Sequence, residues 1–283
     1  MQSLKRRLVL ALCLGGWGWG IWGLVPVAQA ATIAPADVVP TLFFHGSDSS
    51  YHAERHMVGA AKHAKVTKSV IRADVSARGK VKLIGKFRPT SPTPIVEVNY
   101  RNSRNFNYRT DGRWARNVVR KLQSVYHFKR MNMVGHSMGN MAIMYYLLAN
   151  GTNRQLPQLQ KQVSLGGHYD GVLGEGDWPH RIRLAKSGRP TPMDTAYRQL
   201  LALRQRYPWH QVRVLNIYGD LGDGTDSDGR VANNSSRSLR YLVAHRALSY
   251  RDKQFRGRNA QHSKLHHNAQ VDRTLIKFLW NKA

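Results

Sequence analysis

The pentapeptide Gly135-His136-Ser137-Met138-Gly139 lies between an apolar run at 131–134 and a helix-forming segment at 140–149. A G-x-S-x-G sequence between a strand and a helix is the setting in which a serine is raised on a tight, strained turn, its hydroxyl held above the edge of a sheet. The glycines leave room for that turn, and a serine so placed becomes a nucleophile once a base reaches it. Short matches to the pattern arise by chance; the strand signal before this one and the Ala/Met/Leu/Tyr-rich stretch after it give it weight. It requires a chain built of alternating strands and helices.

The rest of the sequence meets that requirement. Segments 41–44, 95–98, 131–134, 162–165, 212–218 and 248–255 read as strands, and helix-like stretches at 51–64, 113–126, 140–149, 195–206 and 271–280 predict helices. Segments 66–73 and 80–87 alternate as the arms of an antiparallel pair with a turn at Ala77-Arg78-Gly79. Strands separated by helices imply an α/β fold, a mostly parallel sheet covered on both faces. The glycine- and proline-rich stretch 168–192 predicts a cap-like insertion over the sheet edge, a place for a lid or a substrate wall.

The N-terminus is read apart from the fold. Lys5-Arg6-Arg7 precede an apolar run at 8–27 and then Ala28-Gln29-Ala30, the pattern of a secretory signal peptide cleaved after Ala30. The run approaches the ~20 residues of a membrane span, so a retained anchor is the alternative; its glycines and the Ala-x-Ala site favour cleavage. Cys13, the only cysteine, falls inside this segment. The chain from 31 to 283, the length of one domain, would hold neither a disulfide nor a thiol nucleophile nor a cysteine metal site. Its formal charge, +28 for the whole sequence, becomes +25 when the three basic residues of the leader are removed. Such a surface seeks polyanions, and outside a cell these are anionic wall polymers and lipid head groups. Basic residues are dispersed and no nucleic-acid-binding motif is present, so no nucleic-acid partner is expected.

With a nucleophile on such a turn, the acid follows a later strand and the histidine lies near the C-terminus. The loop after 212–218 carries Asp220, Asp223, Asp226 and Asp228. Asp228 is preferred because Asp228-x-x-Val231 is similar to the acid turn of many lipases and esterases; Asp220, at the strand end, is the alternative. Aspartates also stabilise glycine-rich turns without any catalytic task. A calcium loop in EF-hand register would put Gly224 and Ser235 where acidic ligands are needed, so no metal is expected. His262, in the loop before 271–280, is the preferred base, with His266 and His267 as competitors. For an oxyanion hole, Met138 offers the backbone N–H after the nucleophile and Ser47, after His45-Gly46, offers a second. His45 supports that loop rather than reacting. His52 and His56 have the spacing of a metal pair but no third ligand in view, and read as a solvated face.

Phe43-Phe44-His45-Gly46, Gly135-His136-Ser137-Met138-Gly139, the segment 222–229 and Asn259-Ala260-Gln261-His262-Ser263 together resemble one family of α/β hydrolases. It is the family of secreted or cell-surface hydrolases of Gram-positive, chiefly lactic acid, bacteria, long described as a domain of unknown function. The resemblance spans about 38–282. It implies an α/β-hydrolase fold and serine-dependent hydrolysis of an ester-like bond, with Ser137, Asp228 and His262 at the triad positions and no cofactor. A small-molecule or wall-linked carboxylic ester is the substrate this implies. The rival reading is a non-catalytic protein that holds polyanions at the cell surface on the same fold.

Overall fold

A computed structural model describes residues 34–282 apart from Pro89. The leader, its cleavage site and Cys13 lie outside the described residues. In chain order the strands are β1 (Thr41–Phe44), β2 (Val70–Val75), β3 (Val81–Ile84), β4 (Ile95–Tyr100), β5 (Arg130–His136), β6 (Gln158–Leu165), β7 (Val172–Leu173), β8 (Gly176–Asp177), β9 (Arg183–Leu184), β10 (Pro190–Thr191), β11 (Arg213–Asp220) and β12 (Ser249–Arg256). The helices are α1 (Arg55–His63), α2 (Tyr108–Tyr126), α3 (Met138–Asn150), α4 (Thr195–Leu200), α5 (Leu203–Arg206), α6 (Asn233–Arg237), α7 (Leu239–Val243) and α8 (Ala269–Trp280). Eight strands form one sheet in the order β12-β11-β6-β5-β1-β4-β2-β3. Its neighbours run parallel except β2 and β3, which form the antiparallel edge pair.

The sheet is apolar on both faces because successive side chains of a strand point to opposite sides. In β1, Leu42 and Phe44 join the core beneath α2 and α3, with Trp114, Val118, Leu122 and Met141, while Phe43 joins the core beneath α1 and α8, with Met57, Val58, Val271 and Leu275. The continuous apolar runs of the sequence are strands buried twice over. This is the α/β-hydrolase architecture.

Several elements differ from their sequence outlines. Helix α2 begins five residues before the expected 113, because Asn107 accepts from the Thr110 N–H at 3.1 Å and caps a first turn whose residues carry no apolar period. Segment 51–64 opens as a 3-10 turn, Tyr51–Glu54, before α1. The expected helix 195–206 is broken into α4 and α5. The antiparallel pair is shorter and shifted, at 70–75 and 81–84. Helix α6 had no apolar signature; its serines are buried and bound to carbonyls, Ser235 Oγ to Gly171 at 3.0 Å and Ser236 Oγ to Gly167 at 2.8 Å, while the short α7 packs Leu239, Leu242 and Val243 into the core. These bonds pin the insertion, in which β7 pairs with β8 and β9 with β10.

Candidate active site

The turn between β5 and α3 places Ser137 at φ 51°, ψ −123°. A residue with a side chain held in this region stores about 1–3 kcal/mol, and the surroundings must over-determine it. They do so through Asn140, whose Nδ2 donates to the Ser137 carbonyl at 3.2 Å and the Leu165 carbonyl at 3.0 Å, while the Ser137 N–H donates to Leu165 at 3.0 Å. The flanking glycines are demanded by close approach: a Cβ on Gly139 would run into the Phe44 carbonyl, and one on Gly135 would stand 2.7 Å from Asn140 Oδ1.

Three strand ends converge on this turn. Asp228, in the loop after β11, is 1% exposed. Its Oδ1 accepts from the N–H groups of Arg230 (2.9 Å) and Val231 (2.7 Å), and its Oδ2 lies 2.7 Å from His262 Nδ1. Its carbonyl also accepts from the His262 N–H at 2.9 Å, so the two residues are joined by backbone and side chain. Val231 is buried beneath the turn. Asp220 is occupied elsewhere: Oδ1 accepts from Gly222 N–H at 2.9 Å, and Oδ2 from Gln254 Nε2 at 2.8 Å with Arg256 at 3.5 Å. Asp223 holds Thr225, and Asp226 faces His180. Among the described residues no three His, Cys, Asp or Glu side chains converge as a metal site.

Ser137 and His262 line one cleft of about 350 Å³ with Gly46, Ser47, Arg230 and His136. Ser137 also borders a second hollow of about 210 Å³, whose wall includes Ser47, Met138, Tyr108, His168, Val172 and Glu175. The insertion thus supplies a wall of the site through Val172 and Glu175; Glu175 is ion-paired to Arg230. The loop after β1 packs directly on Ser137, since a Cβ on Gly46 would stand 3.0 Å from the Ser137 Cβ. Met138 is the first residue of α3, where a helical N–H has no carbonyl of its own helix to bind.

His45 orients the other candidate donor. Its Nε2 accepts from the Tyr100 N–H at 3.0 Å, which puts the ring proton on Nδ1, and Nδ1 donates to the Gly46 carbonyl at 2.8 Å. That carbonyl and the Ser47 N–H belong to one trans peptide and point opposite ways, so fixing the carbonyl on His45 turns the Ser47 N–H away from that ring.

Two histidines near the site had no role assigned from sequence. His136, inside the G-x-S-x-G turn, donates from Nε2 to the His262 carbonyl at 3.1 Å and tethers the loop that carries the imidazole. His168 shares a 3.2 Å hydrogen bond with Tyr108 Oη. Burial holds His136 well below the ordinary histidine range, and the His262 and His266 rings push the same way. Burial takes His168 down to about 3 and His266 down to about 4. All three stay uncharged at neutral pH, so none adds a fixed cation beside His262. No sequence pattern marks them; only proximity does. His266 and His267 contact each other at 2.9 Å, and His56 is paired to Asp272 on α8 at 3.0 Å, while His52 is exposed.

Known proteins agree with this architecture. A gene product of Listeria innocua superposes with a TM-score of 0.74 at 21% identity, covering 86% of this chain and 94% of its own. A Lactobacillus plantarum protein described as a cell surface hydrolase superposes with a TM-score of 0.68 at 20% identity, covering 87% and 93%. At such identities the likeness is one of fold. No curated protein sequence matches the chain. Residues 29–282 match the family described as alpha/beta hydrolase of unknown function (DUF915), and the chain belongs to that family.

Proposed function

We propose that this protein is an exported serine hydrolase that cleaves carboxylic esters. The observation that carries the reading is the joining of a buried Asp228–His262 pair, at 2.7 Å, to a cleft shared with a serine held in left-handed backbone geometry. In this reading His262 Nε2 takes the Ser137 hydroxyl proton as Oγ attacks the ester carbonyl. Asp228 keeps the other ring proton on Nδ1 and balances the imidazolium. The Ser47 and Met138 N–H groups receive the oxyanion, the alcohol leaves with the proton from His262, and water hydrolyses the acyl-enzyme by the same steps. Export rests on the basic-apolar leader with its Ala28-Gln29-Ala30 site, and a surface location agrees with the description of the Lactobacillus plantarum protein.

The test is hydrolysis of a chain-length series of p-nitrophenyl esters by the 31–283 protein beside Ser137→Ala, Asp228→Ala and His262→Ala, with fluorophosphonate labelling of Ser137. Losses of orders of magnitude in all three support the triad. No turnover and no labelling in the parent would favour the second reading, a polyanion-binding protein on this fold, which the charge of +28 supports.

A further inference from the structure

Apart from the serine cleft, a groove of about 620 Å³ lies between α2, α3 and α5. Its walls carry Arg109, Arg113 and Arg116 from α2 and Arg206 from α5, with Tyr145 and Leu148 among the residues beneath. The three α2 arginines follow i, i+4, i+7 spacing and share one helix face, opposite the face that buries Trp114, Val118 and Leu122. All four are exposed, none forms an ion pair among the described residues, and no carboxylate is among the described lining residues. By contrast, the arginines that border the 210 Å³ hollow beside Ser137, Arg104 and Arg230, are each paired to a carboxylate.

A hollow of about 470 Å³ lies between the groove and the serine site, sharing Arg109 and Tyr145 with the groove and Phe106 and Tyr108 with the 210 Å³ hollow that borders Ser137. Helix α3 measures the separation. Ser137 precedes it and the α3 residues lining the groove run from Tyr145 to Asn150, so a ~1.5 Å rise per residue places the groove floor about 12–20 Å along the helix from Ser137. Along α2 the arginines are spaced by ~4–6 Å, the interval of repeated charges on a chain rather than of one small ion. Guanidinium forks bind phosphate oxygens two at a time.

We propose that this groove is a distal substrate subsite for a linear phosphate-bearing chain, and that the ester cleaved at Ser137 is carried by such a chain. The substrate class follows from the ester-hydrolase reading above; the anion site itself does not depend on it.

Two measurements separate the claims. In the first, linear polyphosphate is titrated into Ser137→Ala protein by calorimetry, beside the same protein with Arg109→Ala, Arg113→Ala and Arg116→Ala. A control triple, Arg78→Ala, Arg251→Ala and Arg273→Ala, removes equal charge from exposed sites elsewhere. With ~0.7 units of salt slope per neutralised phosphate, the groove triple should lower the slope of log affinity against log salt by about 2 and the control triple by far less. Equal losses in the two triples, or polyglutamate bound as tightly as polyphosphate, would overturn the assignment. In the second, saturating polyphosphate should raise the KM of otherwise active enzyme for p-nitrophenyl butyrate several-fold, with kcat unchanged, and should not do so in the groove triple. Binding without that competition would overturn the substrate role. An enzyme that neither turns over the ester nor labels with fluorophosphonate, yet binds polyphosphate through the groove, would defeat the hydrolase reading and leave the anion site standing.

Discussion

Replacing Asp228 by Asn tests the site with almost no change of shape. Oδ1 of Asp228 accepts two backbone N–H groups, from Arg230 and Val231. An asparagine must keep its carbonyl oxygen there, because its amide turned the other way would set N–H groups against N–H groups. The amide NH2 is then forced towards His262 Nδ1, 2.7 Å away in the parent, and that nitrogen must accept. The ring proton moves to Nε2, where a base cannot take the Ser137 proton. A wrong tautomer of this kind costs about 10⁴ in kcat, or ~5.5 kcal/mol of transition-state stabilisation. The native fold loses only a charge-assisted bond replaced by a neutral one, about 1 kcal/mol, and a melting shift of ~2–4 °C for a chain of this size. Initial rates with p-nitrophenyl butyrate and calorimetric melting measure the two effects separately. Asp220→Asn, which leaves His262 untouched, should change kcat/KM by less than about threefold. A loss below tenfold in Asp228→Asn, or a thousandfold loss in Asp220→Asn, would refute the reasoning.

Gly139→Ala should fail to reach native stability, since its Cβ meets the backbone carbonyl of Phe44 and neither strand nor helix can yield; a melting point lower by the equivalent of ~3 kcal/mol or more checks this. His136→Phe keeps the ring volume but loses the bond to the His262 carbonyl, so kcat should fall roughly tenfold with KM nearly unchanged, as expected for a positioning residue worth ~1.5 kcal/mol. Asp111, buried with Oδ2 unpartnered, has its pKa raised by burial to about 7. The folded state therefore holds a proton that the unfolded chain releases above its ordinary value of 3.8, and this group's contribution falls as pH rises from about 4 to about 7. Asp111→Asn should accordingly stabilise the protein more at pH 8 than at pH 5, by at most ~3 kcal/mol, read from urea midpoints at the two values.

What could be read from the sequence was whatever depends on local pattern. The strands β1, β4, β5 and β11 stood out because burial on both faces leaves them largely apolar, and the Ser137 turn because its glycines are needed for close approach, Gly135 to Asn140 within the turn and Gly139 to the Phe44 carbonyl across it. Where stability comes from distant partners, pattern was silent. Helix α6 is polar in sequence because its serine hydroxyls bind carbonyls 64 and 69 residues away. The first turn of α2 is held by a cap rather than by an apolar stripe. The choice between Asp228 and Asp220 turns on which carboxylate faces His262, a relation of the β11 and β12 loops in space, and the same is true of the tethers made by His136 and His45.

Charge divides in the same way. A sequence with 44 lysines and arginines against 16 acidic residues must present a basic surface wherever it folds, and a general affinity for polyanions follows from that alone. A general field, however, holds a polymer without register, and cleavage at one serine requires the scissile bond to be presented in one place. Register comes from cations that are grouped, unpaired and fixed at a set distance from the nucleophile. The α2 arginines share one face of α2, and the packing of α2 beside α3 sets that face along a groove whose floor runs from Tyr145 to Asn150. The field of the whole chain would govern how fast and how salt-dependently a polyanion arrives, and the groove which of its esters reaches Ser137. Removing surface arginines outside the groove should therefore slow association while leaving the position of cleavage along a phosphate-bearing ester chain unchanged. Removing Arg109, Arg113 and Arg116 should scatter it.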